Sequence, residues 1–140
     1  MTKIAGITRP LALSILAVTL MSCGQTTSGR AESATLVPIT DFTAVAGKWT
    51  GLARPRGSER DDWVELTIRD DGTYEASSAR TIGAFTGSGS LRLDNGKLTS
   101  SGEKGSSTYT LYYRGGARIL LADFTSKDGI PYSAELTIAR

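Results

Sequence analysis

Residues 63–81 read WVELTIRDDGTYEASSART, and they carry the clearest secondary-structure pattern of the chain. Residues 64–69 alternate between apolar and polar side chains, which is typical of a β-strand with one buried face. Asp71–Gly72 follows, and this dipeptide favours the tight turn of a two-residue hairpin. The stretch therefore predicts an antiparallel β-hairpin. The face predicted to be buried carries Val64, Leu66 and Ile68.

The same pattern continues on both sides of this hairpin. Short extended segments joined by glycine-containing turns are predicted at 46–53, 63–69, 73–81, 84–93, 97–103, 107–114, 117–125 and 131–139. No stretch among them has the 3.6-residue period of a long helix. Residues 41–140 are therefore predicted to form an all-β domain, an antiparallel eight-stranded up-and-down meander. Closure into a small barrel would leave no open sheet edge. A β-sandwich is the alternative.

The predicted inward face mixes large and small side chains. The large ones are Trp49, Leu66, Phe85, Leu93, Tyr109, Tyr113, Leu121 and Tyr132, and the small ones are Ala76, Ser78, Gly87, Gly89 and Ser100. The small residues leave two interiors open, because an eight-stranded barrel is either just filled by side chains or holds one small ligand. The small size of the domain favours the filled interior.

The first strand of the domain carries a second signal, Gly47–Lys48–Trp49 in VAGKWTG. This motif resembles the Gly-x-Trp opening of lipocalins and of the wider calycin group. The resemblance implies that Trp49 plugs the closed end of a barrel, with a basic side chain from a late segment stacked on it. Arg140 is the first candidate for that side chain and Arg118 the second. The chain is shorter than a lipocalin and lacks its long helix, so we expect a minimal barrel.

The amino-terminal region predicts export and lipid modification. Residues 10–20 (PLALSILAVTL) are nearly all apolar, but they are too few to cross the roughly 30 Å hydrocarbon core of a bilayer as a helix. They have the length and basic flank of a secretory signal. The run ends in LMSC, where Cys23 is the only cysteine of the chain. This ending resembles the bacterial lipobox, which implies a signal peptide at 1–22 and a diacylglyceryl thioether on Cys23.

A flexible tether is predicted between the lipidated cysteine and the domain. Residues 23–40 contain no aromatic side chain and are rich in Ser, Thr, Gly and Ala, so they bury little apolar surface. Their last part, LVPIT, is the segment expected to dock on the domain. Gly24 is not the aspartate that retains many Gram-negative lipoproteins at the inner membrane. By analogy, we expect an anchor in the cell envelope, at the periplasmic face of the outer membrane in such a bacterium.

Charge and composition exclude several classes of function. The chain has 16 basic and 14 acidic residues, and Lys3 and Arg9 lie in the predicted signal peptide, so the exported part is neutral. A nucleic-acid-binding surface needs clustered positive charge. There is no histidine, and the only thiol is predicted to be acylated, which excludes His-based triads and His or thiolate metal sites. We therefore expect a monomer that is not an enzyme, with no catalytic residue, cofactor, metal or nucleic-acid partner.

Two functions of different classes remain. The first is a membrane-anchored barrel that binds a small apolar or amphipathic molecule, with Tyr109, Tyr113 and Tyr132 as candidate ligand contacts. The second is a protein-interaction module, such as an envelope inhibitor or assembly partner, that uses the loop at 53–62. Its candidate contacts are Arg54, Arg56 and Trp63. A cavity reached by the tyrosines favours the first function, and a packed interior beside an exposed Arg–Trp patch favours the second.

Overall fold

Antiparallel pairing between strands that are neighbours in sequence builds most of the sheet. The computed structural model describes residues 33–55, 57, 60–79 and 86–140. Within these ranges a 3-10 turn spans Phe42–Ala44. The strands are β1 (Thr35–Val37), β2 (Gly47–Pro55), β3 (Asp62–Ile68), β4 (Thr73–Ser78), β5 (Gly87–Ser90), β6 (Arg92–Asp94), β7 (Lys97–Gly102), β8 (Gly105–Arg114), β9 (Ala117–Ser126) and β10 (Pro131–Ile138).

The sheet curls into a nearly closed barrel, as the sequence predicts. Its strand order is β5-β4-β3-β2-β10-β9-β8-β7-β6, and every pair is antiparallel. The first and last long strands, β2 and β10, pair from Pro55–Tyr132 to Trp49–Ile138. This pairing joins the two halves of the meander, so the up-and-down barrel is the architecture and the β-sandwich is not.

The ends of the strand order, β5 and β6, meet at a seam that has no strand ladder within the described ranges. Side-chain contacts bridge it instead. The Lys104 ammonium donates to the Thr86 carbonyl at 2.6 Å, and the Tyr74 hydroxyl oxygen lies 3.4 Å from Ser100 Oγ. The barrel is therefore held less tightly here than at the β2–β10 pairing.

The predicted single strand at 84–93 is divided in two. β5 pairs with β4, whereas β6 pairs with β7 on the other side of the seam. Leu91 lies between them with its side chain buried. Because the chain changes pairing partner at Leu91, Leu93 does not share the inward face of Leu91 and is 42% exposed. Phe85, which was predicted to lie on the same face, falls outside the described residues.

The sheet begins before residue 41, within the segment predicted to be a tether. β1 pairs with β8 from Thr35–Tyr113 to Val37–Leu111. The shorter β7 covers only the other half of the same β8 edge, so this half is free to pair with β1. Ile39 is buried as well, and its N–H donates to the Gly96 carbonyl at 2.8 Å. The docked segment is the LVPIT stretch.

Successive side chains of a strand point to opposite faces, and those on the inner face form the core. The buried face of the first hairpin carries Val64, Leu66 and Ile68, each at most 2% exposed, which confirms that prediction. On β9 the inward residues are Leu120 and Ala122, so Leu121 lies on the outer face, contrary to prediction. Ala31–Arg140 forms a compact unit that contains every described strand and core residue. Within the described part of the chain, no helical segment has the length and apolar character needed to cross a bilayer.

Candidate functional site

A cavity of about 330 Å³ lies inside the barrel, bounded by inward side chains of β3, β4, β5, β7, β8, β9 and β10. The sequence favoured a filled interior, and the structure differs because small residues take inward positions beside the seam. They include Ala76 on β4, Gly87 on β5 and Ser100 on β7. Large side chains at these positions would occupy the space. The volume is at the lower end of the roughly 300–1,000 Å³ typical of small-molecule sites.

One wall of the cavity is apolar. It is formed by alternating residues of β3, β9 and β10. The inward face of β3 agrees with the prediction, whereas that of β9 is the face opposite to the predicted Leu121. Its members are Val64, Leu66, Ala122, Phe124 and Leu136. An apolar ligand group placed against this wall would leave water, which is favourable by about 0.8 kcal/mol for each buried methylene.

The opposite wall carries four hydroxyl groups, which we call the hydroxyl row. They belong to Tyr74, Ser100, Ser107 and Tyr109. The Tyr74 oxygen lies 3.4 Å from Ser100 Oγ, and Ser100 Oγ lies 2.6 Å from Ser107 Oγ. Ser107 and Tyr109 lie on the same face of β8, and both side chains are buried. Burial is the main cause that raises the pKa of Tyr109 to about 12, and Ser107 opposes it. The row is therefore uncharged at neutral pH.

The rim of the cavity is polar and charged. Thr86 and the β7–β8 turn, with Glu103 and Lys104, line it. Glu103 and Lys104 are both exposed, and the Lys104 ammonium donates one hydrogen bond to the Thr86 carbonyl. Among the described lining residues these two alone carry a formal charge at neutral pH. Charge is thus found at the entrance and not along the hydroxyl row.

Trp49 lies near the start of β2 and does not line the cavity. Its side chain is fully buried, and its indole N–H donates to the Val45 carbonyl at 2.8 Å. The Arg118 guanidinium carbon lies 5.5 Å from the centroid of the Trp49 ring, and Arg118 also donates to the Ala44 carbonyl. Cation–π contacts of this kind are common between Arg and Trp. The 3-10 turn, Trp49 and Arg118 pack together, and we call this group the closed end.

The position predicted for Arg140 belongs to Arg118. β9 presents Arg118 on the same face as Leu120, so its side chain reaches the barrel end. β10 ends at Ile138, and Arg140 beyond it is exposed. Gly47, the other predicted barrel-end residue, begins β2 with φ of 135°, a conformation that favours glycine.

The predicted ligand contacts divide between the two ends of the barrel. Tyr109 lines the cavity. Tyr132 lies beside it, with its ring centroid 6.0 Å from that of the cavity residue Phe124. Tyr113 pairs with Arg118 at the Trp49 end and is 41% exposed, so it is not part of the site.

Sequence reasoning did not select Tyr74 and Ser107, although a signal for both was present. Tyr74 has the same parity as Ala76 and Ser78, which were assigned inward on the same strand. Ser107 has the same parity as Tyr109 on β8. Period-two alternation therefore places both side chains inside the barrel.

The candidate contacts of the interaction module are only partly free. Arg54 donates to both carboxylate oxygens of Asp61, at 2.6 and 2.9 Å, and its hydrogen bond is the main cause that lowers the pKa of Asp61. Trp63 faces outward and is 47% exposed, next to Leu52, its register partner on β2, at 53%. Arg56 lies outside the described residues.

Within the described ranges, no group of three or more Asp, Glu, Cys or His side chains is arranged to hold a metal ion. Comparison of the chain with protein-family models, curated proteins and solved structures returns no match. The cavity is therefore interpreted from its own geometry.

Proposed function

We propose that this chain is a non-catalytic binding protein that holds one small apolar or amphipathic molecule inside its barrel. The observation that carries the proposal is the cavity of about 330 Å³, with an apolar wall facing a row of hydroxyls. Ligand sites typically combine a mostly apolar lining with a few placed polar groups. The protein acts as a monomer, without a cofactor and without nucleic acid.

The finer proposal is a minimal lipocalin-like barrel. It is supported by the Gly47–Lys48–Trp49 opening, by the 3-10 turn before it and by the stacking of Arg118 on Trp49. The likeness concerns the closed end. The cavity at the opposite end is small, so the ligand is small as well.

We also propose that the barrel is anchored in the bacterial cell envelope by a lipid on Cys23. The LMSC ending of the apolar run supports this proposal, and Cys23 lies outside the described residues. Cells fed an alkyne analogue of palmitate should label the wild-type protein and the Ser22→Ala variant, which keeps a small residue before the cysteine. Cys23→Ser should be unlabelled, because it lacks the thiol. Equal labelling of Cys23→Ser would contradict lipidation.

Native mass spectrometry tests the binding function. The compact unit Ala31–Arg140 should retain a small molecule after purification without detergent. Ala76→Leu fills the cavity and should lose that molecule, whereas Ala117→Leu adds the same atoms at an exposed position and should keep it. Retention of the same molecule by Ala76→Leu would show that it binds elsewhere. A folded wild-type protein that carries no molecule and binds no added amphiphile would refute the function.

The exposed neighbours Leu52 and Trp63 favour one second candidate, a protein-interaction module. An aromatic anchor on an exposed sheet face is a frequent interface hot spot. If this candidate is correct, Trp63→Ser should abolish binding of an envelope partner and leave ligand binding in the cavity unchanged.

A further inference from the structure

The polar groups deep in the cavity are all hydroxyls. Ser107 and Tyr109 are each 6% exposed, and Ser100 and Tyr74 extend the row toward the seam. A hydroxyl both donates and accepts hydrogen bonds. The hydroxyl row therefore matches a ligand group that does the same or that accepts only, such as an alcohol or a carbonyl oxygen.

The hydroxyl row has spare hydrogen-bonding capacity. Its Tyr74–Ser100 contact, at 3.4 Å, is longer than the 2.5–3.0 Å usual between hydroxyls and is weak. Thr86 also lines the cavity, and its hydroxyl oxygen is buried with no hydrogen-bond partner among the residues that the structure describes. A buried polar group without a partner is unfavourable. A ligand oxygen beside the hydroxyl row would supply a further partner to its hydroxyl groups.

A charged ligand group would find no counter-ion along the row. The charged residues of the described lining are Glu103 and Lys104, which are opposite in sign and lie at the rim. Lys104 is hydrogen-bonded to the Thr86 carbonyl. Moving a carboxylate or an ammonium from water to the hydroxyl row would remove its hydration without pairing its charge, and this is far more costly than moving a neutral polar group.

We infer that the ligand is an uncharged amphiphile whose hydroxyl or carbonyl group bonds to Tyr74, Ser100 and Ser107 while its alkyl part packs on the apolar wall. This inference rests on the proposed function and names the class of ligand. The cavity of about 330 Å³ is at the lower end of the range for small-molecule sites, so the probe must be small. 1-Octanol is a suitable probe, and octanoate is its charged counterpart.

Titration of ¹⁵N-labelled Ala31–Arg140 with each probe at neutral pH, followed by NMR, tests the inference. 1-Octanol should bind at least about tenfold more tightly than octanoate, since loss of hydration without a partner costs octanoate that much or more. It should shift the amide signals of Ser100, Ser107 and Tyr109.

Two double variants provide a matched comparison. Ser100 and Ser107 are register partners that face the cavity, whereas Ser101 and Ser106 are the next pair on the same strands and face outward. Ser100→Ala/Ser107→Ala should weaken 1-octanol binding by about 5- to 100-fold. Ser101→Ala/Ser106→Ala should leave it unchanged.

The outcomes separate this inference from the proposed function. Octanoate binding as tightly as 1-octanol would overturn the uncharged class and leave the cavity as a ligand site. Unchanged 1-octanol affinity in the Ser100→Ala/Ser107→Ala variant would overturn the role of the hydroxyl row. A protein with dispersed NMR signals that binds neither probe would overturn the proposed function itself.

Discussion

Replacing Arg118 by methionine should destabilise the barrel through the loss of its closed end. The guanidinium carbon lies 5.5 Å from the Trp49 ring centroid, and Arg118 donates to the Ala44 carbonyl. A cation–π contact contributes about 0.5–2 kcal/mol, and a hydrogen bond with one charged partner about 1.5–3 kcal/mol. Arg118 is half-buried, so water compensates part of the loss. We expect Arg118→Met to lower the free energy of unfolding by about 2–4 kcal/mol.

Urea unfolding of Ala31–Arg140 followed by tryptophan fluorescence measures this effect. Trp49 is fully buried, so its emission changes when the closed end opens. The midpoint should fall while the dependence on urea concentration stays constant. Arg140→Met removes the same group from the exposed chain end and should change the free energy of unfolding by no more than about 0.5 kcal/mol. Equal effects of the two variants, or an Arg118→Met variant as stable as the wild type, would refute the assignment.

Two further predictions concern barrel closure and acid stability. A Cβ on Gly51 would lie 2.1 Å from the Glu135 carbonyl oxygen, whereas one on Gly102 would meet no atom within 4 Å. Urea unfolding should therefore show a free energy of unfolding that is lower by about 1–3 kcal/mol for Gly51→Ala and nearly unchanged for Gly102→Ala. The reverse order would contradict this account of β2–β10 closure. Hydrogen bonds from the Thr73 side chain and N–H hold the pKa of Asp71 below its usual value. A carboxyl group with a depressed pKa stabilises the fold at pH values above its unfolded pKa of about 4. This contribution is lost as the pH falls through the lower pKa of the folded state. Urea midpoints measured across this pH range should therefore fall less steeply with acid for Asp71→Asn than for the wild type. An equal dependence on pH in the two proteins would contradict the role of Asp71.

Local patterns in the sequence are enough to predict the class of fold. Alternation over short segments and the turn dipeptide Asp71–Gly72 are local properties, and each strand carries them whatever its neighbours are. They therefore predicted the all-β meander, the hairpin at 63–81 and its buried face. The inward position of Trp49 was predicted from the Gly-x-Trp resemblance and not from alternation, and in the structure Trp49 is buried on the same face as Ala53.

The position of the site, in contrast, depends on how the strands assemble in three dimensions. Whether small residues leave a cavity depends on how the strands close, and Ala76, Gly87 and Ser100 come from three strands whose relative register no local pattern specifies. The stacking of Arg118 rather than Arg140 on Trp49 has the same cause. Which arginine reaches Trp49 depends on the register of the paired strands and on where each strand ends, and no local pattern specifies either. The hydroxyl row likewise exists only because β4, β7 and β8 bring their inward side chains together across the seam.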